Sequence, residues 1–232
     1  MRVIQNEKVR TVLSYLIPFV LIPAVVIGGI AVFRSRGYSY LIFAVSALTI
    51  LLFVCGFDRR KTGTRRLALV AAFVALASAG RAAFSFIPGV NPVTAVTILA
   101  AVYLGGEAGF MIGAFSALVS NIFAGQGVWT PFQMFAWGMI GLFAGIFAKY
   151  FEGRKLRLCV YAFFCGIFYS LIMDVWTTLW TYDAFNLPFY LASITSAVPY
   201  TAVYAVSNAA FVWLMAKPFS EKLGRIKLKY GI

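Results

Sequence analysis

The chain has 232 residues, of which 62% are hydrophobic, 17% aromatic and only 12% charged, and its mean hydropathy is +0.89. A soluble domain typically carries about 25% charged and 45–50% apolar residues, so the apolar excess must face lipid and a soluble fold is excluded. The sequence has no histidine and no phosphate-binding Gly-Lys-Ser/Thr loop, which excludes imidazole triads, His-based zinc sites and P-loop ATP binding, and predicts no metal and no cofactor.

A bilayer core about 30 Å thick needs about 20 apolar residues of helix. Eight runs meet or approach this and predict an all-α polytopic membrane protein. The first, 12–33, is longer than the 7–15 apolar residues of a secretory signal and reads as a retained helix. The second, 38–57, is followed by a basic segment, 58–66, that divides the chain into an N-terminal transmembrane hairpin with its loop, 1–66, and a six-helix core, 67–232. The third run, 67–86, repeats small side chains every four residues, Ala71, Ala75 and Ala79 with Ala68 and Ala72 on a neighbouring row, a face that lets another helix approach closely. The fourth, 93–104, is short, and is expected to be tilted, irregular or extended at one end. The remaining runs are 108–124, 134–150, 158–182 and 190–216. Cys55, Cys159 and Cys165 fall inside apolar runs and read as core packing. No repeat between halves supports an inverted-repeat carrier.

Cytoplasmic loops carry the excess of Lys and Arg. With eight spans, 17 of the 20 bases fall on one side, around residues 2–10, 59–66, 149–157 and 217–229, and only Arg34 and Arg36 on the other. Both termini are therefore expected in the cytoplasm. The net charge of +13 is accounted for by this asymmetry at span ends, and nucleic acid is not an expected partner.

The outward loops of the core, 87–92 (IPGVNP), 125–133 (GQGVWTPFQ) and 183–189 (DAFNLPF), hold no Lys or Arg. They offer amides, hydroxyls, aromatics, Gly and Pro, the composition of a small-molecule cavity. Two charges lie inside spans, where they are costly and usually face the interior. Arg81 is about 8 Å and Asp174 about 12 Å below the expected outer helix ends, which permits an ion pair or a ligand contact. Candidate ligand contacts are Arg81, Asn91, Thr94, Asn121, Gln126, Trp129, Thr130, Gln133 and Trp137, followed by Asp174 and Trp180.

The segments ALVAAFVALASAGRAAFSFIPGVNPVTA, LGGEAGFMIGAFSALVSN and GQGVWTPFQMFAWGMIGLFAG resemble the substrate-binding S components of energy-coupling factor (ECF) vitamin transporters over about residues 67–216. The resemblance implies a six-helix core with a vitamin site under the outer loops. It implies docking of the coupling subunit on the alanine motif, here Ala71, Ala75 and Ala79 with Ala68 and Ala72, and energy from two separate ATP-binding subunits. The NPVTA, SN and GQGVWTPFQ segments look most similar to the subgroup associated with cobalamin or related corrinoids. The two N-terminal helices depart from the six-helix pattern.

The expected function is that of a non-enzymatic S component in the bacterial cytoplasmic membrane, capturing a vitamin-like solute, with cobalamin or a corrinoid first. A queuosine precursor or smaller aromatic vitamin fits the same residues. A structural or assembly protein, an intramembrane enzyme built on Asp174, and a self-sufficient carrier are the rival classes.

Overall fold

In lipid every backbone N–H and C=O must be satisfied within its own segment, and the apolar runs accordingly fold as helices. The computed structural model describes residues 6–33, 38–56, 63–182 and 184–230. Its elements are α1 (Glu7–Leu16), a π-helical turn (Ile17–Leu21), α2 (Ile22–Phe33), α3 (Tyr38–Gly56), α4 (Gly63–Ala83), α5 (Val93–Leu104), α6 (Gly106–Ala124), α7 (Thr130–Ile146), α8 (Ala148–Phe151), α9 (Lys155–Tyr182) and α10 (Leu187–Tyr230). Each expected span contains a helix, the first as α1, the π turn and α2 in series. Arg34, Arg36, the bases Arg59, Arg60 and Lys61, and Asp183 lie outside the described residues.

Helix ends differ from the apolar runs where local chemistry, not hydropathy, sets the boundary. Helix α4 stops at Ala83 rather than 86, because the chain breaks into tight turns, with Ser85 N–H donating to Ala82 and Ile87 N–H to Phe84 before Pro88. Helix α7 starts at Thr130 rather than 134, with Pro131 in its first turn, where a missing N–H costs nothing. Helix α10 starts at Leu187, where the Asn186 side chain accepts from Phe189 N–H at 3.0 Å. It runs on past Pro218 to Tyr230, since the bases that end the apolar run do not end a helix.

The short fourth run is a regular 12-residue helix, about 18 Å long. Every residue of α5 except Tyr103 is buried. It lies along the bundle axis and packs against α4, α6, α7, α9 and α10. At its C-terminal end Arg66 donates to the Leu104 carbonyl and lies over the Phe53 ring. Since α5 covers little more than half the bilayer core, the space beyond its N-terminal end is left for a cavity.

Two helix pairs frame this axis. Helices α6 and α7 approach so closely that a Cβ on Gly141 would sit 2.2 Å from the Gly109 carbonyl oxygen, and one on Gly113 2.2 Å from that of Trp137. Gly145 faces Gly106 in the same way. Helices α9 and α10 pair with Gly166 against Ala205. Helices α2 and α3 pack on the α6–α7 side of the core. The buried side of α4 carries Val70, Val74 and Ala77, while Ala68, Ala71, Ala72, Ala75 and Ala79 are exposed.

Candidate functional site

A cavity of about 350 Å³ opens above the N-terminal end of α5. Arg81 from α4, the 84–91 loop, Ser120 and Phe123 from α6, Gln133 from α7, Tyr169 from α9 and Tyr200 from α10 line it. The loop reaches over the cavity because Gly89 takes a φ of +77°, and a Cβ there would press on Val203 at 3.1 Å. Ser207 Oγ donates to the Gly89 carbonyl at 3.1 Å and ties the loop to α10.

Five of the expected contacts form one hydrogen-bonded network. Arg81 donates through Nη1 to Ser120 Oγ at 2.7 Å and to Asn121 Oδ1 at 2.8 Å. Asn121, fully buried, donates to Thr130 Oγ1 at 2.8 Å and to Gln133 Oε1 at 2.7 Å. Gln133 donates to the Tyr169 hydroxyl at 3.0 Å, and Thr130 to Gln126 Oε1 at 3.0 Å. Gln126 in turn donates to the Leu118 carbonyl at 2.7 Å. Both Arg81 bonds leave from one nitrogen of a group with five N–H donors, and Arg81 also lines the cavity.

Trp137 lies beneath this network with 0% exposure. Its ring stacks on Tyr169 with centroids 4.8 Å apart, carries the Arg81 guanidinium 5.2 Å from its own centroid, and donates Nε1 to the Tyr204 hydroxyl at 2.9 Å. Thr94 shares a 2.7 Å bond with the same hydroxyl. Trp137 and Thr94 thus support the floor without lining the cavity. Asn91 lines it, and its side chain also caps α5 by accepting from Val93 N–H at 2.9 Å.

The other expected contacts stand away from the cavity. Trp129 folds back over Gly127 and meets Trp176 edge to face at 5.9 Å. Trp180 is 43% exposed on α9. Among the described residues Arg81 and Asp174 form no ion pair. Because α4 ends at Ala83, Arg81 lies only about 3 Å from its helix end, whereas Asp174 is buried eight residues, or about 12 Å, before the end of α9. The third outer loop serves to cap α10 and is not among the described lining residues. Tyr169, Tyr200, Tyr204, Ser120 and Phe84 were not singled out from sequence; Tyr200 and Tyr204, four apart on one helix face, are the signal that marks them.

A helical bundle in which five of the described helices are long and apolar enough to cross a membrane is a polytopic membrane protein. Residues 61–224 match the family model described as ECF-type riboflavin transporter, S component, and the chain belongs to that family. Comparison with curated proteins and with solved structures gave no match. Family membership makes the chain a multi-pass membrane protein and the substrate-specific, non-enzymatic component of an ECF transporter, which works with coupling and ATPase subunits.

Proposed function

We propose that the outer cavity captures a flat aromatic vitamin of the flavin type and that the chain presents it to the coupling module for uptake. The observation that carries this reading is the Arg81 fork, held by Ser120 and Asn121 at the edge of a tyrosine-walled cavity of about 350 Å³. That volume is near the lower end of the 300–1,000 Å³ usual for ligand sites. It suits one planar ring system stacked on Tyr169 or Tyr200, with Arg81, Ser120 and Gln133 meeting carbonyl and ring-nitrogen edges. The family description, which names riboflavin, supports the same choice.

Cobalamin or another corrinoid is the second reading. It draws support from the exposed residues Ser85, Ile87 and Pro88 at the mouth, past which a macrocycle with amide arms would project. The exposed alanine face of α4, beside an apolar cleft shared with Met111 and Phe115 of α6, is the proposed seat of the coupling subunit. The charge asymmetry supports a bacterial cytoplasmic membrane with both termini inside, and residues 1–66 as a hairpin appended to the core.

The test is thermal stability of the purified protein with riboflavin, cobalamin, cobinamide and a queuosine precursor. A ligand at 100 times its Kd adds about 2.7 kcal/mol to the folded state. Riboflavin is expected to raise the Tm and to lose fluorescence on stacking. A shift with a corrinoid alone replaces the flavin reading, and no shift with any of them, from folded protein, overturns vitamin capture.

A further inference from the structure

We propose that a second cavity, at the opposite end of the bundle, holds the headgroup of one anionic phospholipid of the inner leaflet. The cavity measures about 280 Å³ and lies between the C-terminal end of α5, the turn into α9, and α10. Its inner wall is apolar, with Val102, Leu158 and Ala216. Its rim carries Arg154, Lys155 and Lys217 against a single described acid, Glu152. The bases come from two elements distant in sequence and converge on one opening, on the side where the chain's Lys and Arg collect.

Two further features fix the chemistry of the occupant. Lys155 Nζ lies 3.7 Å from the ring centroid of Trp213, which is 53% exposed. A Lys–Trp pair on the outer surface of a bundle marks the lipid–water boundary, so the opening is at headgroup depth. Lys155 is also the first residue of a 28-residue helix, whose N-terminal end favours an anion through the helix dipole. A soluble phosphate would satisfy the bases and leave the apolar wall unused. A phospholipid satisfies both, with phosphate at the rim and glycerol and upper acyl chain against the wall, as in basic pockets between membrane helices elsewhere.

The test uses the full chain, purified and offered equal amounts of phosphatidylglycerol and phosphatidylcholine, with retained lipid read by native mass spectrometry. One phosphatidylglycerol should be kept in preference. Arg154→Gln with Lys217→Gln should reduce that preference about tenfold, while Lys222→Gln with Arg225→Gln, bases on α10 outside the cavity, should leave it intact. Equal retention of both lipids by the unaltered protein overturns the site, as does an equal loss in the two double variants, which would mean diffuse attraction. Stabilisation by inorganic phosphate equal to that by phosphatidylglycerol overturns lipid as the occupant. Unchanged thermal stability of each variant without added lipid checks the fold.

Discussion

Asn121 sits where four side chains meet, and its amide is the joint through which α4, α6 and α7 hold one geometry at the cavity. It accepts from Arg81 and donates to Thr130 and Gln133. Hydrogen bonds between membrane helices average about 0.6 kcal/mol each, so Asn121→Ala is expected to cost the fold about 2 kcal/mol for three bonds. The larger consequence falls on the ligand, because Arg81 loses the partner that aims it. Affinity should fall about tenfold or more, measured by titrating riboflavin fluorescence. A variant that binds as tightly as the original would show that the network is only a staple. The sequence pointed to Thr130 and Gln133 because they stand in an outer loop without Lys or Arg, and to Arg81 and Asn121 because they are polar groups inside apolar spans. It did not show that most of them would satisfy one another, since a lone amide in a helix has no visible partner until the helices are packed. Tyr169 and Tyr204 stayed hidden for a related reason: tyrosine in a membrane helix usually reads as an interfacial belt residue.

Helices α6 and α7 owe their contact to what their glycines lack. Gly141→Ala puts a methyl group 2.2 Å from the Gly109 carbonyl oxygen, where only backbone movement relieves the clash. Overpacking of this kind costs about 1–3 kcal/mol, and a lowered Tm with reduced membrane abundance is the expected result. Gly224→Ala, on α10 with nothing within 4 Å of the added carbon, should be neutral or slightly stabilising. Equal Tm values for both variants would count against the close approach. Most of the helices were readable from apolar run length, because that is a requirement of the bilayer itself. The ends were less readable: a cap, a proline in a first turn or a basic tail decides where a helix stops, and hydropathy sees none of these. The role of α5 was invisible for the opposite reason, since a run too short to span becomes intelligible only as a helix wrapped on all sides by others.

The molecule as a whole presents two unlike faces for two different tasks. In the reading proposed above, capture needs the outer cavity and coupling needs the exposed alanine face of α4. The two tasks are therefore separable by mutation. Ala75→Trp adds bulk to an exposed position on that face and should leave riboflavin binding by the isolated protein unchanged. ATP-driven uptake by cells carrying the coupling and ATPase subunits should be lost at normal abundance. Uptake that survives the substitution would place the docking surface elsewhere. Helices α2 and α3 leave this face open, since they pack on the α6–α7 side.

The buried α5 has one more consequence. Below the cavity the axis is filled by Trp137, Tyr204 and α5 itself, with every side chain but that of Tyr103 enclosed. A solute that enters from outside meets a solid floor, and so does an ion. In the reading proposed above, binding and passage are thereby divorced, and inward release would come from movement of the body that holds the solute. On the same reading, a membrane crowded with this protein at rest would stay electrically tight, and many empty receptors could be displayed without dissipating the gradients across it.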